Sequence, residues 1–226
     1  MEGSFVVLMA VVVLVVVAVF TPIRSSKDRQ RSQRLVAFAQ SNGWHYDYER
    51  PELVDRFEGA PFVEGRSNAR ALHVLCTQMR GHRVLAFEYT YSSGLAGRSV
   101  ETVSHTHTVV TVAVPGNTPV VEVGPAKEPG VVPRGGHLVR TGEERFDEVF
   151  RVWTTDPVFA ETVLGEEVRA RLVEHPAGRV PFRLAGAHLL SWEPGQLAAE
   201  AVQSRATAMV ELLECVPKRV WQAMPG

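Results

Sequence analysis

The sequence is poor in cysteine and lacks the short motifs of the common enzyme classes. Its two cysteines, Cys76 and Cys215, form no CxxC pair, which leaves a zinc ribbon or a thioredoxin-like redox centre without ligands and favours two buried, reduced thiols. No HExxH, Gly-x-Ser-x-Gly or Gly-Lys-Ser/Thr motif occurs, so zincin, serine-hydrolase and P-loop chemistry have no local support. We therefore predict no cofactor, and an enzyme is the less favoured class of protein.

An excess of charge of either sign is also missing. The formal net charge is −1, and the basic residues form no broad patch, which argues against a nucleic-acid partner. Only three of the 24 basic residues are lysines, and this bias indicates a GC-rich bacterial genome. The composition thus favours a bacterial protein that binds no nucleic acid.

Polar residues are absent from residues 5–20, in which nine of sixteen residues are valine. As a helix this stretch is about 24 Å long, and extension to Gly3 and Ile23 gives about 31 Å, the hydrocarbon thickness of a bilayer. A cleaved signal peptide is the alternative, but the stretch lacks a basic start and a small-residue cleavage site. We therefore expect residues 1–23 to form a transmembrane anchor and the protein to cross the cell membrane once.

Five basic residues follow the apolar stretch and none precedes it. By the positive-inside rule they place the body of the chain in the cytoplasm. They also open a basic juxtamembrane helix over residues 24–43, where each cation near anionic headgroups contributes about 1 kcal/mol to membrane binding. In the alternative interpretation they only fix the topology. These membrane-surface candidates are Arg24, Lys27, Arg29, Arg31 and Arg34.

The remaining chain predicts an α+β fold in which antiparallel strands pack with helices. Alternating apolar residues predict strands over residues 71–79, 83–91, 100–114 and 120–123, a further strand region over 146–154, and a hairpin over 181–192. Asp156-Pro157 predicts a helix start with the aspartate as N-cap. An apolar stripe over residues 196–215 predicts a long C-terminal amphipathic helix.

Proline and glycine concentrate in residues 124–136, which we interpret as an exposed connection. It separates a sheet-rich half, residues 44–123, from an α+β half, residues 137–226. With the anchor and the juxtamembrane helix, these segments make up the predicted domain organisation.

Three histidines, with Cys76 beside one of them, are weak candidates for a metal site. His105 and His107 are two residues apart on a predicted strand and therefore point to one face, with His73 on a neighbouring strand. The surrounding residues alternate with threonine and serine, which is also typical of a solvent-facing strand. We therefore predict no metal site and keep these three histidines as weak candidates.

Several short segments resemble an uncharacterised family of actinobacterial membrane-anchored proteins, which is related to a bacterial domain of unknown function. They are Asn42-Gly43-Trp44, Gly59-Ala60-Pro61-Phe62, residues 86–91, residues 146–152 with Asp156-Pro157, and Phe182-Arg183-Leu184. The resemblance extends from about Leu35 to Trp221. It implies a membrane anchor and an α+β body, but no activity, cofactor or catalytic residue.

These observations favour a single-pass, membrane-anchored binding or scaffold module of unknown ligand. Its expected partners are the lipid bilayer and a protein. A membrane-tethered enzyme, such as a metal-dependent hydrolase that uses the histidine face, is the first alternative. A protein that responds to anionic lipid through its basic helix is the second.

Overall fold

A computed structural model describes residues 28–62, 66–94, 102–127, 132, 134–174 and 181–222. Its contacts divide the chain into two compact units, Met1–Gly43 and Trp44–Gly226. In the first unit, residues 28–42 form a helix, α1. Gly43 follows it with φ +71°, a left-handed conformation that glycine adopts without strain and that commonly ends a helix.

The described residues of the second unit form one antiparallel sheet of seven strands. The strands are β1 (His45–Glu49), β2 (Ser67–Met79), β3 (His82–Gly94), β4 (Thr102–Pro125), β5 (His137–Val139), β6 (Phe150–Thr154) and β7 (Phe182–Pro194). β1 to β4 lie side by side in chain order. β6 then pairs with the far end of β4, and β5 pairs with β6.

β4 is long enough to belong to both ends of the sheet. Its first part, up to Val112, pairs with β3, and its last part, from Val121, pairs with β6. β7 follows the other side of β4 through both parts, from Phe182 opposite Val123 to residues near His107. A register shift at residues 114–117 separates the two parts, and Gly116 takes φ +78° there. The sheet therefore has a first region, around β1 to β3, and a second region, around β5 and β6, which share β4 and β7.

Both faces of the first sheet region are covered. One face packs against residues 51–62, which we call the cover segment and which begins with a 3-10 turn, Pro51–Leu53. The buried apolar residues of this layer include Leu53, Phe57, Phe62, Leu85, Phe87, Tyr89, Val109, Leu190 and Trp192. The other face packs against α5 (Ala199–Cys215), which contacts β3 and β4.

Four shorter helices complete the second unit. They are α2 (Glu144–Val149), α3 (Pro157–Val163), α4 (Glu166–Glu174) and α6 (Lys218–Gln222). α2 packs against α4, and α4 packs against α5. Asp156 caps α3, because its Oδ1 accepts hydrogen bonds from the backbone N–H groups of Val158 and Phe159, both at 3.0 Å.

Two predictions are corrected. The predicted transmembrane anchor, residues 1–23, lies outside the described residues. Within the part of the chain that the structure describes, no helix is both long and apolar enough to cross a membrane; α5, for example, has 17 residues and carries Arg205 and Glu211. The predicted fold class, a transmembrane helix followed by an α+β body, is therefore wrong, and the described residues form a sheet-rich antiparallel fold. The predicted localisation, a single-pass protein of the cell membrane with a cytoplasmic body, is wrong on the same finding.

Candidate functional site: a tyrosine–histidine face

β3 and β4 place two tyrosines and two histidines on one face of the first sheet region. Their register sets Tyr89 opposite His107 and Tyr91 opposite His105. Side chains two residues apart on a strand project from the same face, and Tyr89 and Tyr91 belong to the layer beneath the cover segment. We call these four residues the tyrosine–histidine face.

The aromatic rings of this face are stacked. The centroids of Tyr91 and His105 are 4.7 Å apart with an interplanar angle of 18°, and those of Tyr91 and His107 are 6.0 Å apart with an angle of 5°. The Tyr89 ring lies 5.6 Å from Tyr91 and 4.6 Å from Phe62 of the cover segment. The Tyr91 ring is thus stacked with both histidine rings, and Phe62 packs against the neighbouring Tyr89.

Two polar atoms of the face are buried without a hydrogen-bond partner. They are Tyr89 Oη and His107 Nδ1. Tyr89 is fully buried, Tyr91 is 9% exposed, and His105 and His107 are half-buried. About 90% or more of the buried polar groups in native proteins are hydrogen-bonded, so two unpaired groups on directly opposed residues distinguish this face from an ordinary core layer.

The environment keeps the tyrosines and His107 uncharged near neutral pH. Burial raises the pKa of Tyr89, although the nearby Arg66 opposes this, and burial also raises the pKa of Tyr91. Burial lowers the pKa of His107, and repulsion from His105 lowers it further. The face therefore presents phenol hydroxyls and a neutral imidazole, which both donate and accept hydrogen bonds.

An ion pair between Arg66 and Asp55 lies beside the face. The Arg66 guanidinium lies 5.9 Å from the centroid of the Tyr89 ring. Its Nη2 donates to Asp55 Oδ1 at 2.6 Å, and its Nη1 donates to the Phe62 carbonyl oxygen at 3.3 Å. Because Asp55 balances the charge of Arg66, the border adds no net charge to the face.

A serine contacts one histidine of the face. Ser93 Oγ and His105 Nε2 are 2.8 Å apart, a distance at which a histidine can activate a nucleophile. Catalytic triads add a third group that orients the imidazole and stabilises its charged form, but in the described residues no carboxylate bonds to His105. The same residues contain no group of three or more His, Cys, Asp or Glu side chains that could hold a metal ion.

The predicted histidine cluster is divided by the fold. His105 and His107 lie together on β4, whereas His73 lies on β2 with its Nδ1 2.9 Å from the hydroxyl of Tyr46. His73 is almost fully buried and also contacts the ring of Tyr48 edge to face. It therefore belongs to the β1–β2 pair and not to the tyrosine–histidine face.

The predicted membrane-surface residues lie in the first unit. Arg24 and Lys27 are outside the described residues, and Arg29, Arg31 and Arg34 lie on α1. Arg29 and Arg34 are exposed and Arg31 is half-buried. At about 100° per residue, Arg31 and Arg34 lie on neighbouring positions of the helix surface while Arg29 lies on another side.

A buried ion pair in the second sheet region fixes the cover segment. Arg183 of β7 donates from Nε and Nη2 to Glu122 Oε2 of β4 at 2.8 and 2.6 Å, and both side chains are 4% exposed. Its Nη1 donates to the carbonyl oxygens of Glu58 and Ala60. A Cβ at Gly59 would lie 2.5 Å from the guanidinium, so glycine is required at this close approach. Burial raises the pKa of Glu122, and the charge of Arg183 opposes this.

The sequence pointed to the two histidines of the face as weak metal candidates, and it placed their tyrosine neighbours in the core. Tyr89 and Tyr91 alternate with polar residues on β3, and this pattern also fits core residues. The sequence did indicate that the strands over residues 83–91 and 100–114 pair with each other. It did not give the register of that pairing, which decides which side chains lie opposite one another. Arg183 had a weaker signal, a charged residue between the apolar Phe182 and Leu184.

Comparison with known proteins supports the fold and leaves the family open. No protein-family model and no curated protein matches the chain. The fold of the described residues, an antiparallel sheet packed with helices, is similar to that of a solved protein. The crystal structure of the mycobacterial trehalose monomycolate transport factor A, TtfA, matches with a TM-score of 0.57 and 18% sequence identity, covering 82% of this chain and 96% of that chain. The predicted relation to actinobacterial proteins therefore has support from a distant mycobacterial structure alone.

Proposed function

We propose that this chain is a binding or scaffold module that engages a lipid-like ligand during its transport, and that it is not an enzyme. The proposal rests on two buried atoms that have no hydrogen-bond partner, Tyr89 Oη and His107 Nδ1, on a face of stacked rings. A bound ligand would satisfy these atoms and offset the free energy that their desolvation costs. The likeness in fold to a transport factor supports a role in transport.

The electrostatics of the face favour binding over catalysis. Burial keeps the tyrosines protonated and His107 neutral, so the face lacks a strong general base. Apolar and aromatic walls with a few placed polar groups are the usual composition of a ligand site.

The test is retention of lipid by the purified full-length chain. We expect native mass spectrometry, after incubation with a total bacterial lipid extract, to show a retained lipid. Tyr91→Ala removes the central ring and should abolish retention, whereas Tyr48→Ala, an exposed tyrosine on β1, should not. The proposal fails if no lipid is retained by the folded chain. Labelling of Ser93 by a fluorophosphonate, with turnover of an ester, would instead show a hydrolase that uses the Ser93–His105 pair.

A further inference from the structure

A second group of side chains lies where β3, β4 and β7 meet the cover segment. Ala113 of β4 is paired with His188 of β7. On the other side of β4, the register continues from the Val84–Val112 pair, so Arg83 lies beside Ala113. The small side chain of Ala113 therefore separates a histidine on one neighbouring strand from an arginine on the other.

The cover segment packs against the face that carries these side chains. Leu85, two residues after Arg83, and Leu190, two residues after His188, both belong to the buried layer beneath that segment. Side chains two residues apart on a strand project from the same face. The Phe57 ring of the cover segment also contacts the His188 ring edge to face, with centroids 5.3 Å apart. Arg83 and His188 are therefore on the covered face, at the edge of the cover segment.

Arg56 completes the group from the cover segment. Its Nη2 lies 3.4 Å from Nε2 of His188, which is long for a hydrogen bond. Because a guanidinium only donates, the imidazole accepts in this contact, and a protonated His188 would repel Arg56. Burial lowers the pKa of His188, and repulsion from Arg56 and Arg83 lowers it further. The three groups thus oppose one another electrostatically whenever the histidine is charged.

Within the residues that the structure describes, no carboxylate lies within ion-pair distance of Arg56 or Arg83. Glu52 and Asp55 of the cover segment bond to other arginines, at 2.7 and 2.6 Å. Arg56 and Arg83 are exposed and His188 is half-buried, so solvent reaches the group. Two accessible cations therefore lie beside a histidine without a counter-charge from this part of the chain.

We propose that Arg56, Arg83 and His188 bind a phosphate-like oxyanion over the methyl group of Ala113. Guanidinium groups suit this role, because their planar N–H donors match the oxygens of phosphate groups. Arg56 and Arg83 neutralise the anion, and His188 Nε2 changes from acceptor to donor toward it. The anion can be free phosphate or the phosphate of a lipid headgroup, and both present the same chemistry to the site. The inference goes beyond the proposed function and does not depend on it, because the site uses none of the residues of the tyrosine–histidine face.

The experiment follows His188 in the full-length chain with sulfate as the first probe, because sulfate keeps its charge where histidine titrates. Histidine ring signals in a ¹H–¹³C NMR spectrum report the titration, and loss of one signal in His188→Gln assigns it. An anion favours the protonated imidazole, so we expect sulfate to raise the pKa of His188. Chloride at the same ionic strength should raise it less. The affinity for sulfate should increase as the pH falls through the same range.

Arginine variants test the two cations. Arg56→Gln and Arg83→Gln should each lower the affinity for sulfate about five- to tenfold, as expected when a partly exposed anion loses one charged donor. Arg145→Gln removes the same charge from an exposed arginine of α2 and is the matched control, which should leave the affinity unchanged. A cooperative melting transition shows that each variant is folded.

Ala113→Leu tests the space between the cations. The variant keeps all three binding groups but fills the position over which the anion lies, and we expect it to lose sulfate binding. If this variant lacks a cooperative melting transition, the arginine variants decide the matter, because their side chains are exposed and the fold does not depend on them.

Dihexanoyl phosphatidic acid, dissolved as a monomer, separates the two sources of the anion. Tighter binding of this lipid than of inorganic phosphate, with the same dependence on Arg56 and Arg83, would assign the site to a lipid headgroup. Equal affinities would assign it to the free anion.

Three results would overturn the inference. The first is a response of His188 to sulfate that is no larger than its response to chloride. The second is an unchanged affinity for sulfate in both Arg56→Gln and Arg83→Gln. The third is an equal loss of affinity in Arg145→Gln, which would show general attraction to surface charge and not a site. Each of these leaves the lipid-retention test of the proposed function unaffected, so the two can fail separately.

Discussion

At the scale of single residues, two kinds of buried polar group occur in this fold. Tyr89 Oη and His107 Nδ1 have no partner, whereas Arg183 bonds to a carboxylate and to two backbone carbonyl oxygens. An unpaired buried group costs free energy until a ligand satisfies it, and a fully paired one holds its neighbours in place. The first kind is the basis of the proposed binding function, and the second has a structural role.

Removal of one partner of the buried ion pair should strongly lower the stability of the fold. Glu122→Ala leaves the Arg183 guanidinium buried without its counter-charge, and we expect the free energy of unfolding to fall by about 3–5 kcal/mol. Urea denaturation followed by tryptophan fluorescence measures this change. Glu52→Ala, which removes an exposed partner of Arg50, is the control and should cost less than about 1 kcal/mol. Equal effects of the two substitutions would contradict the structural role of Glu122.

At the scale of elements, the sequence predicted what local chemistry decides. Asp156-Pro157 starts α3 as expected, with Asp156 as the N-cap. The start of a helix is predictable because cap and first turn lie within four residues of each other. The strands over residues 71–79 and 83–91 are confirmed within β2 and β3, because alternation identifies a half-buried strand without knowledge of its partner.

Long-range pairing explains where the sequence failed. The predicted hairpin over residues 181–192 is wrong, because β7 continues through Gly186, which pairs with Thr118 at φ +55° and does not reverse the chain. Residues 114–117 likewise form an irregularity within β4 and not a turn between two strands. The strand predicted over residues 146–154 is only partly right, because residues 146–149 belong to α2 and the strand, β6, begins at Phe150. Asp147 of α2 accepts hydrogen bonds from the N–H groups of Thr141 and Gly142. The opposed pairs of the tyrosine–histidine face were unpredictable for the same reason, since register depends on both strands.

The N-cap of α3 can be tested at this scale. Asp156→Ala removes the acceptor of two backbone N–H groups, and we expect a loss of about 1 kcal/mol in the free energy of unfolding. Chemical denaturation monitored by circular dichroism measures it. Glu161→Ala, an exposed substitution on the same helix, should change the free energy by less than half as much. If Asp156→Ala leaves the free energy of unfolding unchanged, water replaces the cap without cost.

At the scale of the whole molecule, the way in which stability changes with pH should depend on two histidines. Burial lowers the pKa of His107, with repulsion from His105, and burial also lowers the pKa of His188, with repulsion from Arg56 and Arg83. The unfolded chain therefore takes up protons at these sites at a higher pH than the folded chain. The contribution of these two histidines to stability is therefore complete above the ordinary histidine pKa of about 6.5, and it is lost as the pH drops below that value.

The measurement is urea denaturation at pH 7.5 and pH 5.0. We expect the difference in unfolding free energy between these two pH values to shrink in a His107→Phe, His188→Phe double variant, because the variant binds no protons at these positions. His137→Phe, on the exposed strand β5, is the control and should retain the wild-type difference. An unchanged pH dependence in the double variant would contradict the assignment. Comparison with wild type removes the contribution of Glu122, whose raised pKa acts in the opposite direction.

The sharing of β4 and β7 by both sheet regions has a consequence for fragment complementation. A cut after Lys127 leaves β4 in one fragment and β7 in the other, so that neither fragment contains a complete sheet region. Residues 1–127 and 128–226, produced separately, should each remain without a cooperative melting transition. Mixed in equal amounts they should reassociate, because the β4–β7 pairing that the cut separates is also the interface that joins them. The molecule would then behave as a split protein whose two fragments report on each other.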